Sequence, residues 1–320
     1  MNLAVGFFDG VHLGHQRILA QADAVLTFSN HPATVFAPDR APRLLMTRDD
    51  RLAAIEGAIG TIAPPRELET MSASDGRRPG EVTWGRNRSD SANCRVRALD
   101  FTPAFAAQQP SAFADWLRAE YPSLDTLYCG ANWTFGADGA GNADFLRAQG
   151  FHVEVVPYAA HAGEPISSTR IRRALAAGNL ADANAMLGRS YALAGRVAAG
   201  KGLGRTLGFP TLNILPELAD PPLSRGVYAV ATPLGRGLAN WGVAPTMGDR
   251  AWTKPVLEVH LLESFPSSSQ SSYEHRSLNA RPASLRVEFL SFLRPERTFS
   301  SPAELQTQIA RDVASARLLF

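Results

Sequence analysis

The stretch Gly6-Phe7-Phe8-Asp9-Gly10-Val11-His12-Leu13-Gly14-His15 decides how the N-terminal half is read. It follows the apolar Leu3-Ala4-Val5 and runs into Gln16-Arg17-Ile18-Leu19-Ala20, whose composition favours a helix. The order is short strand, glycine-punctuated loop, helix start. Such a loop aims free backbone N–H groups and the positive end of a helix dipole at one spot, which suits a phosphate. His12 and His15 lie three apart, so a helical turn puts both imidazoles on one face. Gly14 between them lets a phosphate or ribose approach the backbone closely. Gly6, Asp9 and Gly10 complete the candidate phosphate loop. The chemistry this suits is nucleotidyl transfer, where charge developing on a triphosphate is held by donors and not by a covalent nucleophile. Two histidines at this spacing also serve as metal ligands or as plain polar residues at a helix start, so the surroundings must decide.

Working outward, the first half alternates strand-like and helix-like stretches, the signature of an α/β sheet. Ala24 to Phe28 reads as a buried strand ending at Asn30-His31-Pro32. Thr47 with Asp50 caps a helix whose apolar face is Leu52, Ile55 and Ile59. Ser111 opens another through Trp116 and Leu117. Leu124 to Cys129 resembles a strand feeding the loop Gly130 to Gly136, and Phe151 to Val156 alternates like a strand. Ile166-Ser167-Ser168-Thr169-Arg170-Ile171-Arg172 starts a capped helix that ends near Gly178. Only nine residues separate His15 from Val25, room for a helix of ~13 Å. A five-residue strand spans about 17 Å, so this first crossover closes barely.

After Leu187-Gly188-Arg189 the grammar changes. Tyr191–Val197, Gly226–Ala231, Val256–Leu262 and Leu285–Phe292 are strand-like with Gly and Pro between them, an all-β domain and a small barrel. It closes with a helix opened by the capping box Ser301-Pro302-Ala303-Glu304, with Leu305, Ile309, Val313 and Ala316 as the buried stripe. The expected division is 1–187 and 188–320. Within the first part, 72–97 carries six arginines among Ser, Asp, Asn and Gly. Its apolar content is too low to offset ordering entropy, so a disordered insertion is expected. Ser267 to Ser272 reads as a flexible linker.

Composition narrows the classes. The 320 residues suit two domains. With 45% hydrophobic and 19% charged residues, the chain is a globular protein. A net charge of +2 argues against nucleic acid as a partner, the arginine-rich segment being the one place where RNA could bind. No apolar run approaches the ~20 residues of a membrane span, and no signal peptide is expected. Cys94 and Cys129 lack metal-type spacing, so a cytoplasmic protein without disulfides is expected. None of these features speaks to oligomeric state.

Taken together, Gly6–His15, Ile166–Arg172 and Gly208-Phe209-Pro210-Thr211-Leu212-Asn213 resemble, in order, the motifs of the bacterial bifunctional riboflavin kinase/FMN adenylyltransferases. For the N-terminal half the resemblance implies a Rossmann-like nucleotidylyltransferase joining FMN and ATP to give FAD and pyrophosphate. His12 and His15 would hold the ATP phosphates, and Ser168, Thr169 and Arg172 would form a second phosphate motif, the arginine bidentately. Asn132 would contact flavin or nucleotide. For the C-terminal half it implies a six-stranded riboflavin kinase barrel. Gly200 to Arg205, with Gly202, Gly204 and Arg205, would be a flap over the ATP phosphates. Thr211 and Asn213 would orient Mg²⁺, Glu258 would be the general base toward the ribityl 5′-hydroxyl, and Arg294, near Asp312, would lie at the flavin end. Strand periodicity supports Glu258 independently, since Leu257, Val259 and Leu261 alternate with Glu258 and His260. The alternative reading is a kinase alone, beside an inactive N-terminal domain.

Overall fold

The computed structural model describes residues 1–61, 95–198, 208–242, 255–264 and 283–320. These form two compact units, one of 1–42 with 48–166 and one of 43–47 with 167–320. The flap glycines Gly202 and Gly204, Arg205, the serine-rich stretch and residues 72–94 lie outside the described residues.

The first unit is a five-stranded sheet of β1 (Asn2–Val5), β2 (Ala24–Phe28), β3 (Val96–Leu99), β4 (Thr126–Gly130) and β5 (His152–Val156). Its order is β3-β2-β1-β4-β5 and every neighbouring pair is parallel. The strand order reverses between β1 and β4, and ligands of such sheets bind in the crevice beyond the carboxyl ends at that switch point. The loop that opens the sequence reading leaves β1 at that end. Alternation sends Leu3 and Val5 to one face with Leu26, Leu127 and Cys129, where α5 (Pro110–Glu120) contributes Phe113, Ala114 and Leu117 and α6 (Ala143–Ala148) contributes Leu146. The short crossover does close. Helix α1 (Leu13–Leu19) spans seven residues, and Asp23 returns the chain by donating its N–H to Asn2 O at 2.9 Å. The unit also holds α2 (Ala33–Phe36), α3 (Arg48–Ala58) and α4 (Pro103–Ala106). It ends in the hairpin of β6 (Ala160–His161) and β7 (Glu164–Pro165), turned by Ala162 and Gly163 at φ of 51° and 76°.

Two sequence expectations shift here. Helix α5 begins at Pro110 after Gln109, which makes no side-chain cap, because proline is preorganised for the first helical position. The polar segment 72–97 is ordered at its end: Val96 and Arg97 pair with Val25 and Leu26 as β3, whose Leu99 packs on the core.

The second unit opens with α7 (Ser168–Ala176) and α8 (Leu180–Leu187) and continues as a closed antiparallel barrel. Its strands are β8 (Tyr191–Ala198), β9 (Leu212–Pro216), β10 (Gly226–Thr232), β11 (Gly235–Gly242), β12 (Val256–Ser264) and β13 (Ser284–Pro295), in the order β10-β11-β12-β9-β8-β13. Asn184 of α8 fastens the helix pair to the barrel. Its amide donates to Phe289 O at 3.0 Å, and its oxygen accepts from Tyr191 N–H at 2.7 Å. Helix α9 (Pro302–Arg317) closes the chain with Ser301 as N-cap. Half of the expected capping box is present, Glu304 N–H donating to Ser301 Oγ at 3.2 Å, while the Glu304 carboxylate accepts from the N–H and hydroxyl of Ser300, both at 2.8 Å, one residue earlier than the box requires. Among the described residues no helix is long and apolar enough to cross a membrane.

Candidate active sites

The phosphate-loop candidate is held in a conformation that few residues accept. Phe8 and Val11 have φ of 58° and 40°, and Gly10 has 80°. A β-branched residue at positive φ is costly, and such strain persists only where the surroundings over-determine it, as they do at functional sites. Gly6 N–H donates to Leu26 O at 3.2 Å, and Gln16 Nε2 donates to Val11 O at 2.9 Å, closing the loop on both sides. Asp9 and His12 are almost wholly buried.

His12 is the N-cap of α1, its Nδ1 accepting from His15 N–H at 3.3 Å. The two imidazoles stack with centroids 3.6 Å apart and planes 20° from parallel, and Phe8 meets His15 edge-on at 5.3 Å. The expected shared face is therefore present, with one addition: His12 caps the helix instead of lying within it. Gly14 makes room for this ring, since a Cβ there would lie 3.1 Å from His12 Cε1 and 3.2 Å from Nδ1. Asn132 is exposed in the turn after β4, where Trp133 N–H donates to Gly130 O at 3.0 Å.

One residue of this region escaped the sequence reading. Arg51 of α3 is 1% exposed and donates to Phe7 O at 2.8 Å, Thr27 Oγ1 at 3.1 Å, Phe28 O at 2.7 Å and Ser29 O at 3.2 Å. Its signal was present: Arg51, Ile55 and Ile59 share helical spacing, so the arginine sits in the apolar stripe. Burial lowers its pKa to about 10, which leaves it charged at neutral pH.

In the second unit, Ser167 caps α7 by accepting from Arg170 N–H at 3.3 Å. The cap is thus Ser167, while Ser168 and Thr169 occupy the first turn. Arg172, one turn on, donates through Nε to Arg43 O at 2.6 Å.

Three strands assemble the barrel site. Glu258 of β12 is the register partner of Asn213 on β9 and of Asn240 on β11. Directly opposed residues of neighbouring strands project to the same face, so Asn240, Glu258 and Asn213 form a row. Leu257 and Val259 are buried as the periodicity requires. Burial first, then the nearby Glu296 carboxylate, raises the Glu258 pKa. Gly242 makes that approach possible, because a Cβ there would overlap the Glu296 carboxylate. Thr211, half-buried, directly precedes β9, and Asn213 is 8% exposed. His260, two residues beyond Glu258, bonds through Nδ1 to Pro210 O at 2.8 Å and meets Phe209 edge-on at 5.4 Å. It fixes the Phe209-Pro210-Thr211 segment, a task the sequence reading did not assign. Arg294 is largely committed within the protein: its Nε lies 3.0 Å from both Asp312 oxygens and Nη2 2.7 Å from Oδ2, while Gln308 donates to Oδ1 at 2.8 Å.

Two families match successive parts of the chain. The family described as "Riboflavin kinase" matches residues 187–320, and that described as "FAD synthetase" matches 1–60 and 94–170. The "Bifunctional riboflavin kinase/FMN adenylyltransferase" of Pseudomonas fluorescens is 33% identical over 98% of this chain and 91% of its own length. The protein of the same name from Escherichia coli K12 is 31% identical over 99% and 92%. A crystal structure titled as a macrolide-efflux protein from Streptococcus pneumoniae superposes with a TM-score of 0.71 at 22% identity, covering 99% of this chain and 93% of that one, a likeness of fold. By these full-length relationships, the chain belongs to the bifunctional riboflavin kinase/FMN adenylyltransferase family.

Proposed function

We propose that this chain phosphorylates riboflavin to FMN with ATP in the barrel and adenylates FMN to FAD, releasing pyrophosphate, through the phosphate loop after β1. The observation that carries the reading is the row Asn240–Glu258–Asn213 across three barrel strands. A carboxylate with its pKa raised by burial is a better base than an ordinary surface glutamate, provided it is ionised at the working pH. Glu258 takes the proton of the ribityl 5′-hydroxyl as that hydroxyl oxygen attacks the γ-phosphorus of ATP and ADP leaves with the broken Pγ–O bond. Asn240 and Asn213 flank that carboxylate, and His260 holds the approach of Thr211.

Mg²⁺ fits this site by donor chemistry. Thr211 and the buried Asn213 would supply hard oxygens to it. That is the donor set of an ion held by a few protein oxygens, water and substrate phosphates. Bound there, it supplies charge neutralisation on the phosphates. Gly202, Gly204 and Arg205 are proposed to cover them.

For adenylation, the FMN phosphate attacks the α-phosphorus of ATP and pyrophosphate leaves. His12 Nδ1 accepts from His15 N–H, so its proton sits on Nε2, a donor for a phosphate oxygen. His15, Gly6, Asp9, Gly10 and Gly14 belong to the same loop and are proposed to serve the ATP phosphates, and Ser168, Thr169 and Arg172 are proposed as a second phosphate motif. Asn132 and Arg294 are proposed flavin contacts. Domains of 1–187 and 188–320, a cytoplasmic location and the absence of nucleic acid from the reaction belong to the same reading. Incubation with riboflavin, ATP and Mg²⁺ followed by separation of flavins tests it. FMN and then FAD are expected, FMN alone would leave a kinase, and neither would refute the reading.

A further inference from the structure

The strained turn after β1 is held from another element as well as by bonds of its own. Phe8 and Val11 hold positive φ, and relaxing either would move His12, which follows Val11 directly. Phe7, one residue before the strain begins, is gripped by a side chain from another element. Arg51 Nη1 donates to the Phe7 carbonyl at 2.8 Å and to Thr27 Oγ1 at 3.1 Å. Thr27, itself fully buried, donates its hydroxyl to the same Phe7 carbonyl at 3.3 Å. Arg51 Nη2 reaches the carbonyls of Phe28 and Ser29 at 2.7 and 3.2 Å. The guanidinium carbon lies 3.9 Å from the centroid of the Phe7 ring, which also meets the His31 ring at 4.6 Å.

A planar fork with five donors is the only side chain that can bridge the ends of two strands in this way; an ammonium is a point charge without that geometry. Its cost is also informative. A nearly inaccessible cation loses hydration, and burial depresses its pKa while the neighbouring Asp9 carboxylate opposes the change. A helix that needed only to cover the sheet would place a leucine at this position of its apolar stripe. The carbonyls it holds belong to the loop after β1, to the last residue of β2 and to the residue that follows it, all at the carboxyl end of the sheet where the phosphate loop lies.

We propose that Arg51 is a positioning residue of adenylation: it clamps Phe7 to the end of β2 and thereby sets the loop that presents His12 and His15 to the ATP phosphates. The proposal rests on the reading of this loop as the adenylyltransferase site. Arg51 touches no substrate in this account and acts through the backbone of residues 7–12.

The test uses Arg51→Lys and Arg51→Met in the full chain. FAD formation from supplied FMN is expected to fall about 10²-fold in kcat for Met, the scale of a 1 Å misplacement, and less for Lys. The KM for FMN should stay within about twofold, because flavin binding is not what the clamp serves. Riboflavin kinase activity of the same samples should be unchanged, which reports folded, active protein. Histidine ¹⁵N spectra provide a readout independent of turnover: the His12 and His15 signals should move, and that of His260 should not. Full FAD formation with unmoved His12 and His15 signals, alongside only a lower melting midpoint, would overturn the proposal and leave Arg51 as a structural group. If the wild type makes no FAD, the reading of the site fails, and the histidine spectra still decide Arg51 by the same criterion. Should Arg51→Met fail to fold, Arg51→Lys carries the test.

Discussion

Replacing Asn184 by alanine isolates the joint between the helix pair and the barrel. One amide serves both the Phe289 carbonyl at 3.0 Å and the Tyr191 N–H at 2.7 Å, and alanine removes both bonds while changing little volume. Leaving a buried backbone group without its partner costs about 1–3 kcal/mol. Both contacts are part-buried, so water recovers a share of each, and the sum is set at about 2–3 kcal/mol. For a unit of this size each kcal/mol moves the midpoint by about 2–4 °C, so a fall of roughly 5–10 °C is expected. The assay is thermal inactivation of riboflavin kinase in the full chain, followed beside near-UV circular dichroism so that the barrel transition is identified. Asn184→Asp should be worse, since it keeps the acceptor for Tyr191 but loses the donor and buries a charge. A midpoint within about 1 °C of wild type for Asn184→Ala would refute the claim that these two bonds fasten α8 to the barrel.

Further outcomes follow from the two sites. Glu258→Gln should lower FMN formation by about 10²–10⁴ and spare FAD formation from FMN, read by separate assays of each product. Its stability effect has a definite sign. Burial raises the folded-state pKa of Glu258, so its contribution is fully present below the unfolded value of 4.5 and is lost as pH rises through the folded value. Glu258→Gln should therefore gain on wild type in denaturant melts above neutrality and show no gain near about pH 4. Glu296→Gln removes the second cause of that shift, so the acid limb of the kinase pH–rate profile should move to lower pH; an unmoved limb would dissociate Glu296 from the base. Gly14→Ala places a methyl 3.1 Å from His12 Cε1 and should reduce FAD formation by about tenfold or more without touching FMN formation, in steady-state assays of both.

The parts legible in the sequence were those where local pattern and tertiary need agree. Gly6–His15 between an apolar strand and a helix, the Glu258 alternation and the Ser301-Pro302 start of α9 all follow from short-range spacing. Strand β11 escaped because Gly235-Arg236-Gly237-Leu238-Ala239-Asn240-Trp241-Gly242 has poor strand propensity. Its glycines answer to tertiary crowding: a Cβ on Gly237 would meet the His260 carbonyl, and one on Gly242 the Glu296 carboxylate. Arg51 was hidden by the acidic and basic residues beside it, Arg48, Asp49 and Asp50, which make the helix start read as a solvated face. The boundary proposed near 187 follows the change from helix to strand. Packing places 167–187 in the same compact unit as the barrel, through side-chain bonds such as those of Asn184, which no periodicity announces.

The central claim is that two independent sites act in sequence, one built on Glu258 and the other on His12 and His15. Mixing the purified Glu258→Gln variant with the double variant His12→Ala, His15→Ala tests it directly. With riboflavin, ATP and Mg²⁺, the first alone should yield almost no flavin product and the second should stop at FMN. The mixture should make FAD, because FMN released by one variant is adenylated by the other. A mixture that accumulates FMN and forms no FAD, while Glu258→Gln alone also fails to convert supplied FMN, would contradict the separation of the two sites.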